Sequence, residues 1–282
     1  MTVSESKTVT AHEIFNTNGY LLTLDVVEKL YKMHIYRYQI TLDGGIKTHD
    51  KQRLLCNGDK TFTVITNNLL NIKTNFKKKF LGITIRTNLT KEILENSIKD
   101  YIAFINNNFA NDAIFDFRFR AAWGEKAEDE EKDIYIESVT DAYRYIFSLL
   151  QHIEGLNFSG ELAELMLGGG VCYAAKRDDY VVGSDGTIYK CTVHFEDKMN
   201  RIGYITDNGD FYIDQSKLNY WTKADVFSGA CSDCTSKLSC LGIGCPYNRH
   251  DDISCNAISN QYDLILPVIA KNMKISTVIT SI

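Results

Sequence analysis

Seven of the eight cysteines fall from residue 172 onward, as Cys172, Cys191, Cys231, Cys234, Cys240, Cys245 and Cys255. Thiolates at short spacings are ligands for metals and metal clusters, and a C-x2-C pair such as Cys231–Cys234 offers two of them to one centre from a single turn. Three chemistries compete for these residues. Disulfides need an oxidising compartment, and the opening MTVSESKTVTAHEIF has no basic segment followed by an apolar one to direct the chain there. Structural zinc takes four ligands per ion. One C-x2-C pair and seven thiols do not divide into complete four-cysteine sites, although three cysteines with His194 or His250 would make one. Thiolate-held [4Fe–4S] clusters, one or two of them, fit the spacing best.

The segments upstream alternate between helical and strand-like patterns. Thr23 can cap a helix in which Leu24, Val27 and Leu30 recur at helical spacing. Tyr36, Tyr38, Ile40 and Leu42 then alternate with Arg37, Gln39 and Thr41, as in a strand with one buried face. A second helix is predicted from about Thr61, a strand over Phe80–Thr90, and a third helix capped by Thr90 that buries Leu94, Ile98, Ile102 and Ile105. Such alternation predicts α/β units with parallel strands, and in these folds the carboxyl ends of the strands face the chemistry.

The cysteine-rich tail resembles the SPASM domain, the auxiliary cluster domain of many radical S-adenosylmethionine enzymes. That family's pattern is C-x9-15-G-x4-C, a gap, C-x2-C-x5-C-x3-C, a gap and a last cysteine. Here Cys172 is followed by thirteen residues, Gly186, four residues and Cys191, and the later cysteines follow in order. Residues 241–244 make four where three are usual, an extra residue that Gly242 and Gly244 can absorb. The stretches VVGSDGTIYKCTVHF, NRIGYI and CLGIGCP also look like the family. The resemblance implies one [4Fe–4S] cluster on Cys231, Cys234, Cys240 and Cys255. It implies a second on Cys172, Cys191 and Cys245 with an open or non-cysteine fourth position, because ELAELMLGGGV lacks the extra cysteine found there in fuller members.

TNGYLLT (17–23) and YRYQITLDGGIKTHDKQR (36–53) look like later strands of a radical S-adenosylmethionine barrel. The fold class expected is therefore α/β, a partial TIM-like (β/α) barrel followed by a small SPASM iron–sulfur domain. The strand ends supply Asn18, Thr41, Asp43, Arg86 and Asn88 as candidate contacts to S-adenosylmethionine, with turn chemistry as the ordinary role of an Asn or Asp before Gly. The C-x3-C-x2-C loop of the radical cluster does not occur, and Cys56 reads as a small half-buried core residue. The expectation is of the carboxyl-terminal portion of an enzyme, inactive by itself in making the adenosyl radical. The alternative is a stand-alone iron–sulfur module that relays electrons or binds a peptide.

Intact relatives abstract hydrogen from a substrate with a 5′-deoxyadenosyl radical, and many modify ribosomally made peptides. The resemblance thus implies a peptide or protein substrate and an electron donor such as a flavodoxin or ferredoxin. The sulfatase-maturing branch usually carries an acidic base after the domain's second cysteine; Thr192 stands there, with Asp185 and His194 as weak proton-transfer candidates. Asp185–Gly186 is also an ordinary hairpin turn. A net charge of −5 and the lone basic run Lys77–Lys79 argue against nucleic acid. No apolar run of about 18 residues predicts a membrane span, and a cytoplasmic location is expected. Residues 1–124 are expected to form the barrel part and 125–156 a bridging segment, acidic over Glu125–Asp133 and helical over Ile134–His152, with Ile136, Ala142, Ile146 and Leu149 roughly on one side. Residues 157–282 are expected to form the cluster domain and tail.

Overall fold

A computed structural model describes residues 14–78, 81–122, 139–166, 168–223, 232–234, 237–241, 246 and 262–272. The chain divides into two compact units, one of residues 1–160 and 267–282 and the other of residues 161–266.

In the first unit, strands and helices alternate as β1 (Ile14–Thr17), α1 (Leu24–Lys32), β2 (Arg37–Thr41), α2 (Ile46–Gln52), α3 (Phe62–Asn75), β3 (Gly82–Leu89), α4 (Lys91–Asn96), α5 (Ile98–Phe109), β4 (Phe115–Ala121) and α6 (Val139–Leu150). The strands pair in the order β1-β2-β3-β4, all parallel. Helices supply the crossovers that parallel pairing requires. One face of the sheet is apolar and buried, with Tyr38, Ile40, Ile83, Ile85, Phe115, Phe117 and Phe119. On the other face the register lines up polar rows: Asn16, Gln39, Thr84 and Asp116; Thr41, Arg86 and Arg118; then Asn88 and Arg120.

Local signals explain most element ends. Thr23 Oγ1 accepts the Val26 amide and Thr90 Oγ1 the Ile93 amide, as caps do. Asp50, buried on α2, accepts the amides of Thr61 and Phe62 and so caps α3 from a neighbouring helix. The third predicted helix is two helices, broken at Ser97, whose φ of −141° leaves the helical range. The break puts Ile93 in the core and leaves Leu94 half-buried. In α6, Ala142 and Ile146 are buried as expected, but Leu150 takes the core position expected for Leu149; Ile136 and Glu125–Asp133 lie outside the described residues. Cys56 is exposed in a turn beside the Leu54–Lys60 bridge, a correction to its reading as a core residue.

The second unit takes in most of α7 (Ser159–Leu165), a 3-10 turn (Tyr173–Ala175), an antiparallel meander of β5 (Val181–Val182), β6 (Thr187–Tyr189), β7 (Arg201–Ile205) and β8 (Phe211–Ile213), and α8 (Gln215–Thr222). Short α9 (Lys237–Cys240) and the first half of α10 (Tyr262–Asn272) follow. Ala174, Ile188, Ile202, Leu218 and Trp221 form its core, with Cys172 and Cys191 packed against it. Trp221 keeps its indole N–H satisfied by donating to the Met199 carbonyl at 2.8 Å. Among the described residues no helix is long and apolar enough to cross a membrane.

Candidate functional site

Asp43 follows β2 and is 2% exposed. Its carboxylate accepts from Arg53 Nε at 2.5 Å, from the Asn88 amide at 2.8 Å and from Asn88 Nδ2 at 3.2 Å. Gly44 makes the turn possible: its φ is +74°, and a Cβ there would lie 2.4 Å from Thr48 Oγ1 and 2.9 Å from Ser97 Oγ. The preceding carbonyl, Leu42 O, receives the hydroxyls of Thr87 and Tyr101, so the end of β2 is held from both sides.

Behind Asp43 stands a buried histidine whose tautomer the partners dictate. The Asp43 amide donates to His49 Nδ1 at 3.1 Å, so that nitrogen carries no proton; Nε2–H then donates to Thr61 Oγ1 at 3.0 Å, and Thr61 donates to Arg53 O at 2.6 Å. Burial holds the pKa of His49 below its ordinary value, against the nearby charge of Asp43. The sign follows: below about pH 6.5 the unfolded chain takes up a proton that the folded histidine resists, so stability falls with falling pH. The urea midpoint is expected to drop between pH 7 and pH 5.5, by at most about 1.4 kcal/mol per pH unit in free energy, and to drop less in His49→Gln. A midpoint equally pH-dependent in both proteins contradicts this assignment.

A groove of about 880 Å³ opens beside this cluster, lined by Asp43, Arg53, Gln52, Thr90, Lys51 and Glu92 among others. Arg86 lies one register row away, with Nε donating to Asn88 Oδ1 at 3.1 Å. Burial and the charge of Arg120 lower its pKa, and the nearby Asp43 carboxylate raises it. The structure thus brings Thr41, Asp43, Arg86 and Asn88 together at the ends of β2 and β3. Asn18 follows β1 in a turn, where it accepts the Tyr20 amide at 3.1 Å. Sequence reasoning missed Arg53 and His49, whose partners lie across a turn, and it missed Arg118 and Arg120. The strict alternation of FDFRFRA signals the strand that carries the last two.

In the second unit, Cys172 and Cys191 are half-buried on the same core. Tyr173, next to Cys172, reaches the segment after Cys191: its hydroxyl accepts the Thr192 amide at 2.8 Å and lies 2.9 Å from Thr192 Oγ1. Burial and both thiols push the Tyr173 pKa up. Asn200, fully buried, fixes the Cys191 loop through the amides of Lys190 and Cys191 and the carbonyls of Cys191 and His194. Asp185 occupies the β5–β6 turn, where hydrogen bonds from Thr187 lower its pKa, and Gly186 has φ +79°. His194 is 8% exposed. Cys234 is described, whereas Cys231, Cys245, Cys255 and the side chain of Cys240 lie outside the described residues. Among the described residues no group of three potential metal ligands assembles. Cys172 and Cys191 on one core can supply two thiolates, fewer than the four that a [4Fe–4S] cluster usually takes.

With a parallel sheet in the first unit, the mixed α/β fold matches that of a radical S-adenosylmethionine enzyme. Among the solved structures it resembles are those of anSMEcpe. Its structure with bound AdoMet aligns with a TM-score of 0.59 at 16% identity, covering 91% of this chain and 74% of that one. The structure with AdoMet and the Kp18Cys peptide gives 0.61 at the same identity and coverage. At such identity the likeness is one of fold. The sequence matches no protein-family model and no curated protein.

Proposed function

We propose that this chain is part of a radical S-adenosylmethionine/SPASM enzyme that modifies a ribosomally made peptide or protein by hydrogen-atom abstraction. In this reading the first unit is the later part of the barrel and the second carries two auxiliary [4Fe–4S] clusters. The observation that carries it is the convergence of Thr41, Asp43, Arg86 and Asn88 at the carboxyl edge of a parallel sheet, where α/β folds bind their ligands. Support comes from the fold's likeness to an enzyme seen with AdoMet and with peptides.

With one electron from a donor of the flavodoxin or ferredoxin kind, bound S-adenosylmethionine would supply the hydrogen-abstracting group; auxiliary clusters held by the cysteines would take up the electron released when the substrate radical is oxidised, or bind substrate. The chain's own residues do the positioning. Asp43 and Asn88 hold the strand ends rigid, Thr41 offers a hydroxyl on the polar face, and Arg86 offers a guanidinium to a carboxylate. No residue here is assigned to radical generation, and by itself the chain is inactive in that step. Thr192 stands where the sulfatase-maturing branch has an acid, and a hydroxyl already engaged with Tyr173 is no base. A peptide other than a sulfatase is therefore the proposed substrate.

The test is binding of S-adenosylmethionine to the purified chain by equilibrium dialysis. Saturable binding is expected, weakened about fivefold by Thr41→Val and at least as much by Arg86→Gln, the equivalent of about 1 kcal/mol per lost hydrogen bond. Absence of binding by the folded chain, or binding that neither variant weakens, would overturn the reading.

A further inference from the structure

Lys190 is fully buried although it carries an ammonium group. Its Nζ donates to the Lys176 carbonyl at 2.5 Å and to the Asp179 carbonyl, and stands 5.0 Å from the centre of the Tyr180 ring. The side chain thus starts beside Cys191 and ends in the loop that follows Cys172. Its own amide donates to Asn200 Oδ1 at 3.0 Å, so both ends are fixed. Burial lowers its pKa, while the charges of Asp179, Asp178 and Cys172 raise it.

A buried ammonium is costly, and a methionine would fill the same space without that cost. The cation makes physical sense where negative charge gathers nearby. Thiolates around an iron–sulfur core are such a charge, and reduction adds one more negative charge to it. We infer that Lys190 is a positioning residue that clamps the Cys172 segment to the Cys191 segment and holds up the reduction potential of the auxiliary cluster on those thiols. This rests on the cluster reading given above.

The test uses the full chain, reconstituted anaerobically with iron and sulfide, as wild type, Lys190→Gln, Lys190→Met and Cys191→Ser. Iron and labile sulfide are counted, and an EPR-monitored redox titration gives midpoint potentials; the signal lost in Cys191→Ser marks the relevant cluster. Lys190→Gln keeps an NH2 donor group without the charge, and is expected to load as wild type does with that signal's potential shifted negative. Lys190→Met leaves both carbonyls unbonded and is expected to lose that signal with about four iron atoms. A wild-type potential in Lys190→Gln overturns the electrostatic role, whatever Lys190→Met does. Full loading of Lys190→Met overturns the clamp. A wild type that takes up no labile sulfide fails the cluster reading first, and this inference with it.

Discussion

Replacing Asp43 by alanine is expected to cost the first unit about 2–4 kcal/mol, a large part of the roughly 5–15 kcal/mol by which domains are stable. The carboxylate accepts from Arg53 and twice from Asn88, while the Asp43 amide fixes His49. Removal leaves the half-buried Asn88 amide without its acceptor. Arg53, whose side chain is 38% exposed, can turn to water, which keeps the loss below that of a fully buried pair. The substitution Asp43→Asn would be little better, because an amide offers only one oxygen to this set of donors. Urea denaturation followed by far-UV circular dichroism measures the loss. A change under about 1 kcal/mol in Asp43→Ala would mean that the hydrogen bonds do not hold the strand ends together.

The second large effect belongs to Asn200→Ala. The amide uses its whole capacity, accepting from Lys190 N at 3.0 Å and Cys191 N at 2.7 Å and donating to the carbonyls of Cys191 at 2.9 Å and His194 at 2.8 Å. Alanine leaves these backbone groups unsatisfied in a buried place, for an expected loss of about 2–4 kcal/mol. Amide hydrogen exchange at Cys191 should quicken by at least about tenfold, since 1.4 kcal/mol is a factor of ten. Asn200→Asp should be no rescue, because its carboxylate would face two carbonyl oxygens. Unchanged exchange in Asn200→Ala would show that the loop is held by something else.

Much of the first unit was legible because its periodicity is local. Thr23 and Thr90 cap the helices expected of them, and Tyr38 and Ile40 alternate inward on β2. The break at Ser97 was not legible, since the apolar spacing through Leu94 and Ile98 runs on as if one helix continued. Strand ends gave four of the five candidate contacts a common place, but Asn18 shows that a polar residue beside a glycine serves its own turn equally well. Arg53 and His49 became visible only through space: one is ten residues from Asp43, the other six, and the Gly44 turn followed by α2 brings them back to it. The cysteine spacing spoke for ligands, whereas Asn200 and Lys190 carry no sequence signal, their roles being set by backbone groups they meet after folding.

The most direct test of the account is anaerobic reconstitution of the 282-residue chain with iron and sulfide, followed by counts of iron and acid-labile sulfide. About eight of each per chain is the predicted result for two thiolate-held [4Fe–4S] clusters. One tightly held zinc ion with no labile sulfide would contradict it, leaving a structural metal site and no electron acceptor.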